Sequence, residues 1–160
     1  MRESKTASQH SDLPLVLVIN LKGHEQRMAS LGCQLETLGL TYQRIEGVLG
    51  MQADLKDPHL FNQRAYRANH GKLPSPGELG CYLSHLRCME MLLNSSHTCA
   101  LILEDDAILG SNIIDAIATS TACKSDWDTL RLQGFHGTPA WTVKTLIVNN
   151  IRYKLASHFK

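Results

Sequence analysis

Glu104-Asp105-Asp106 closes the short apolar run Leu101-Ile102-Leu103, and no Lys or Arg follows within the next turn. Three consecutive carboxylates in such a place call for a cation or for open water. An apolar run of this length, bounded by polar residues, reads as a buried strand, and in open α/β sheets ligands gather outside the carboxyl ends of strands. If the chain stays extended through the acids, Glu104 and Asp106 point to one side and Asp105 to the other. Two hard oxygen donors on one side suit Mg2+ or Mn2+, ions that keep waters and complete their shells with substrate phosphates. The plain alternative is a solvated acidic turn.

Strands and helices must carry these residues to one place. Leu15-Val16-Leu17-Val18-Ile19 is a continuous run of the kind found in strands covered on both faces. Met28, Leu31, Leu35 and Leu38 then recur at helical spacing, with Gly39 just past the helix end. Tyr42 to Ile45 alternates like a second strand, completing a βαβ unit. From Leu49 to Leu73 an irregular connection with one short helix is expected. Ser75-Pro76-Gly77-Glu78 matches a capping box with Pro at the first helical position. The helix it opens has a predicted buried stripe of Leu79, Tyr82, Leu83, Leu86, Met89 and Leu93, and it ends at Asn94-Ser95-Ser96. A second line, Gly77, Gly80, Ser84 and Cys88, would let a backbone or a ligand approach closely. After the acidic strand, Ser111 or Asn112 caps a short helix through Ala118, and Trp127 to Leu132 reads as another strand. Leu146 to Val148 is strand-like, and Ile151 to Phe159 reads as a closing helix or a frayed tail.

The 160 residues, with 43% hydrophobic and 19% charged content, suit one soluble domain, expected over 13–160 behind a polar, disordered segment 1–12. A net charge of +1 with scattered Lys and Arg argues against nucleic-acid binding. The run from Leu13 to Leu21 contains Pro14 and Asn20 and is too short to span a bilayer, so neither signal peptide nor anchor is expected. Cysteines 33, 81, 88, 99 and 123 include no Cys-x-x-Cys pair, and no His-Glu-x-x-His occurs. Free thiols in a cytoplasmic setting follow as the expectation, with neither zinc site nor disulfide framework. Among single residues, His85 is either a hydrogen-bonded structural group or a ligand, Glu78 serves first the capping box, and Arg27 either reaches a phosphate or is solvated. Asn20, at a strand end, is the better candidate for a nucleotide contact.

Four segments, in order, resemble glycosyltransferase family 25, which includes bacterial lipooligosaccharide galactosyltransferases and collagen galactosyltransferases. They are Val18-Ile19-Asn20-Leu21 with Arg27, Ile45 to Gly50, Pro76-Gly77-Glu78-Leu79-Gly80-Cys81-Tyr82-Leu83-Ser84-His85, and Leu101 to Ala107. Asp126-Trp127-Asp128 is a weaker fifth. The resemblance implies an α/β, GT-A-like (Rossmann-like) domain with a mostly parallel sheet that binds a nucleotide sugar, UDP-galactose, through Mn2+ or Mg2+ at a DxD-like motif. Here that motif is Glu104-Asp105-Asp106, with Asp106 and then Glu104 as metal ligands and Glu104 or Asp105 at the ribose or the metal. Asn20, Arg27, Glu78, Ser84 and His85 join Glu104 and Asp105 as the implied cofactor-binding set. The implied acceptor is a lipooligosaccharide, lipopolysaccharide or other glycan or glycolipid, with peripheral association at the inner membrane. Family members are classed as inverting, which requires a base that no residue here can be assigned.

The chain also departs from the family pattern. Val48-Leu49-Gly50 stands where Val-Asp-Gly is usual, and family members continue well past this length. The expectation is therefore a C-terminally short transferase that self-associates through uncovered apolar surface. Its alternative is a degenerate, non-catalytic nucleotide-sugar-binding module. A phosphate-handling α/β enzyme is a third reading, disfavoured by the absence of a Gly-rich phosphate loop.

Overall fold

The computed structural model describes residues 13–52, 61–122 and 128–132, together with the backbone of 140–148 and 151–158. The chain is an α/β protein that divides into two compact units, one of them Leu15–Ile108. In that unit β1 (Leu15–Asn20), β2 (Gln43–Glu46) and β3 (Ala100–Glu104) form an open parallel sheet of order β2-β1-β3. Its central strand is the expected continuous apolar run, and Val16 through Asn20 are all buried, as a strand covered on both faces must be.

Helix α1 (Glu25–Thr37) connects β1 to β2 and buries Leu31, Gly32 and Leu35. It ends as its sequence demands: Gly39 adopts φ +69°, the Leu40 N–H donates to the Leu35 carbonyl at 2.9 Å, and the Gly39 N–H donates to that of Glu36 at 3.0 Å. That pattern is a Schellman motif, and the left-handed residue at its centre favours glycine. Between β2 and the next long helix lie a 3-10 turn (Gly50–Gln52) and α2 (Gln63–His70), the latter opened by the Asn62 side chain, which accepts from the Ala65 N–H.

Helix α3 (Pro76–Leu93) carries the predicted capping box in full. Its buried face differs from the expected one. Leu79, Gly80, Ser84 and Cys88 face inward, while Tyr82, Met89 and Leu93 are exposed and Leu83 and Leu86 only partly covered. The small-residue line wins because the helix packs onto backbone: a Cβ at Gly80 would stand 2.5 Å from the Val48 carbonyl oxygen, and one at Gly50 would stand 1.9 Å from that of Pro76. Large side chains cannot occupy such a seam. Cys88 completes the core cluster with Leu17, Ile19 and Ile45, and Met91 packs against it.

The other unit comprises Leu109–Lys160 with the N-terminal residues to Pro14. It contains α4 (Ile113–Ala122) and the antiparallel pair β4 (Ala140–Val148) and β5 (Ile151–His158), with a register shift between Thr142 and Lys144. The strand-like reading of Leu146–Val148 is correct, whereas the closing helix or frayed tail expected over Ile151–Phe159 is a strand up to His158. Ile151, Tyr153 and Leu155 alternate with Arg152 and Lys154, a period-two pattern that suits a strand. The strand expected from Trp127 to Leu132 does not form over Asp128–Leu132, where the backbone is irregular. Residues 1–12, Cys123, Asp126 and Trp127 lie outside the described residues. Among the described residues Cys33, Cys81, Cys88 and Cys99 stand outside any disulfide, and no described helix is long and apolar enough to cross a membrane.

Candidate functional site

From β1 the chain passes outward to β2 on one side and later returns to β3 on the other. Successive crossovers in opposite directions leave a crevice beyond the carboxyl ends of β1 and β3, the switch point where α/β sheets hold ligands. A cleft of about 410 Å3 lies there, and its wall includes Arg27, Leu49, Gly80, Cys81, Glu104 and Asp105.

The acids do not continue the strand. The parallel ladder ends where the Asp105 N–H donates to the Ile19 carbonyl at 3.1 Å, and the Ala107 N–H then folds back to the Glu104 carbonyl at 2.9 Å. Asp105 and Asp106 therefore form a turn, and the alternation expected of an extended chain is lost. Asp105 is buried, accepting a hydrogen bond from the Asn20 amide at 2.6 Å and pairing with Arg27 at 2.7 Å. Asp106 is 65% exposed and pairs with the same guanidinium at 2.7 Å. Glu104 turns to α3, where its Oε1 accepts from the Cys81 thiol at 3.6 Å. The cation missing beside the acids in the sequence is thus Arg27, delivered by α1.

Asn20 is buried and its amide is used on both ends. The NH2 group donates to Asp105 and to the His24 carbonyl at 2.9 Å, and the oxygen accepts from Arg44 at 2.9 Å. Ser84 is likewise buried, donating to the Gly80 carbonyl at 2.7 Å and accepting from the Val48 N–H at 2.8 Å. Both side chains brace the cleft, and Ser84 also lines it. His85 lies one turn beyond Cys81, its Nδ1 3.7 Å from Sγ and 3.0 Å from the Cys81 carbonyl oxygen. Glu78 is not brought to the acids. Its carboxylate closes the capping box on the Ser75 N–H at 2.7 Å and pairs with Lys72 at 3.1 Å, and the Ser75 backbone bond foremost holds its pKa down at about 2. It lines a smaller concavity of about 290 Å3 beside Phe61, Tyr66 and Tyr82, away from the convergence of charge. Cys81 and Arg44 are the residues that sequence reasoning missed. For Cys81 the signal was present, since Cys81 and His85 at positions i and i+4 share a helix face.

The comparison with curated proteins gave no match. The profile of the family described as "Glycosyltransferase family 25 (LPS biosynthesis protein)" matches residues 14–158. That span holds the two sheet strands that flank the crevice, the Val48–Gly50 turn, α3 and the acidic turn. On that match the chain is a glycosyltransferase of lipopolysaccharide biosynthesis and belongs to glycosyltransferase family 25.

Proposed function

We propose that the cleft receives the diphosphate of a UDP-sugar, with galactose as the sugar, in a GT-A-type arrangement, and that the sugar passes to a lipooligosaccharide or other glycan acceptor. The observation that carries this reading is Arg27, a guanidinium held 2.7 Å from both Asp105 and Asp106 yet 44% exposed at the cleft. A guanidinium has five N–H donors in a planar fork suited to phosphate, so one fixed by carboxylates on one side can still serve an anion on the other. Asn20 and the β1–β3 ladder keep Asp105, and through it Arg27, in place.

Three carboxylates set against Arg27 and Arg44 leave a net charge of −1, which opposes a bare diphosphate. A divalent cation reverses that sign, and when bound it supplies charge that neutralises the departing diphosphate. Glu104 fits such an ion, being exposed on the cleft wall, and Asp106, exposed and paired with Arg27 through Oδ2, has its other carboxylate oxygen to offer. Leu49 favours a second reading. It stands half-exposed on the cleft wall where the family resemblance expects Asp, as in a module that binds donor without turnover.

Calorimetric titration of UDP, with and without Mn2+ or Mg2+, and assay of sugar release from UDP-galactose test both readings. UDP should bind only with the ion, and Arg27→Gln should weaken it about tenfold or more, since a charge-assisted hydrogen bond is worth about 1.5–3 kcal/mol. Binding without sugar transfer supports the second reading. UDP affinity that ignores both the ion and Arg27→Gln refutes the donor site.

A further inference from the structure

Glu104 also meets softer donors, on the side that faces α3. One donor atom each from Cys81, His85 and Glu104 lies within 4.8 Å of the other two, the first pair from successive turns of α3 and the third from the end of β3. Sγ is 3.7 Å from His85 Nδ1 and 3.6 Å from Glu104 Oε1. Zinc bonds of about 2.3 Å to sulfur and about 2.0–2.2 Å to nitrogen or oxygen, at tetrahedral angles, set such donors about 3.6 Å apart. Both measured edges already have that length. A thiolate, an imidazole and a carboxylate form a borderline-soft set that selects zinc over magnesium.

We propose that Cys81, His85 and Glu104 bind a zinc ion, with the fourth position open to the cleft that Cys81 and Glu104 line. Three protein ligands and one open position are the arrangement of zinc sites that take a water or a substrate oxygen. Binding forms a zinc–sulfur bond and sends the thiol proton to solvent, so the ion takes the place of the proton shared between Sγ and Oε1. The His85 ring binds through Nδ1 as its Nε2–H tautomer, leaving the Cys81 carbonyl for the ion. The inference stands on these donor atoms and not on the glycosyl-transfer reading.

Co2+ is the probe, added to the full chain kept reduced with a phosphine. One equivalent should bind, produce a thiolate-to-cobalt charge-transfer band with tetrahedral ligand-field absorption, release about one proton, and be displaced by Zn2+. Cys81→Ser should remove the band, and Glu104→Gln should weaken binding about tenfold or more. Cys81 and Glu104 are exposed, so circular dichroism should show both variants folded. Asp106→Asn should leave the band unchanged. Wild-type binding without a thiolate band, or affinity that survives Cys81→Ser but falls in Asp106→Asn, overturns the site. UDP titration of the same samples keeps the two questions apart: a cobalt band without UDP binding defeats only the donor reading, and UDP binding without a band defeats only the zinc site.

Discussion

Replacing Gly80 by alanine places a methyl group 2.5 Å from the Val48 carbonyl oxygen and 3.1 Å from the Gly50 nitrogen. Real Cβ atoms keep at least about 3.0 Å, so the 48–50 segment must retreat from α3 by about 0.5 Å, and backbone cannot rotate aside. Overpacking of this kind costs about 1–3 kcal/mol. The retreat also weakens the hydrogen bond from the Val48 N–H to the Ser84 hydroxyl, a contribution of about 1 kcal/mol. Exchanging a helical glycine for alanine recovers about 0.5–1 kcal/mol, for a net loss of about 1–3 kcal/mol. Gly77, on the same helix, is the control. Its added Cβ meets nothing closer than the Ser75 hydroxyl at 4.0 Å, so Gly77→Ala keeps the helical benefit alone. Urea unfolding of both variants should separate them by about 2–4 kcal/mol, in opposite directions from wild type and with m unchanged. A Gly80→Ala midpoint equal to that of wild type would refute the clamp between the Val48–Gly50 turn and α3.

The Glu78 carboxyl, held near 2 rather than 4.5 chiefly by the Ser75 backbone N–H and then by Lys72, ties the α3 cap to pH. A depressed carboxyl contributes fully above 4.5 and loses its contribution as pH falls toward 2, so urea midpoints of wild type and Glu78→Gln should converge across that interval. Parallel profiles would show that the charge is idle. Burial pushes the Cys88 thiol up to about 11, so an aromatic disulfide reagent at mildly alkaline pH should label exposed Cys33 in the folded protein and reach Cys88 only after unfolding. Early labelling of Cys88, located by mass spectrometry, would mean that α3 does not seal the sheet.

What the sequence made legible was local. The run through β1, the Schellman glycine of α1 and the capping box of α3 each carry their signal within a few residues, and each element formed where that signal lies. The buried face of α3 was misread because hydrophobicity ranks Tyr82 and Met89 above Gly80 and Ser84. The partner, however, is the backbone of another motif, and only small residues can meet it. The alternation over Ile151–Leu155 becomes decisive only beside its partner, the strand over Ala140–Val148, of which the sequence shows clearly no more than Leu146–Val148. At the acids, the residue types were legible and their partners were not. Arg27 lies far from Asp105 in the chain and meets it only through tertiary structure.

The register of two strands decides that meeting. Ile19 stands opposite Glu104 in the parallel ladder, which brings Asn20 to the level of Asp105. One amide then serves Asp105, the start of α1 at His24 and Arg44 from β2, so all three strands of the sheet converge on a single buried side chain. A slip of one residue between β1 and β3 would turn Asn20 from Asp105 and leave a buried amide and a buried carboxylate without each other. Asn20, the polar end of the apolar run of β1, therefore fixes the register. By forbidding that slip it holds one carboxylate buried and paired with Arg27, leaves the second exposed beside the same guanidinium, and frees Glu104 to face the thiol and imidazole of α3. The division of labour among three adjacent acids is a consequence of where the ladder ends.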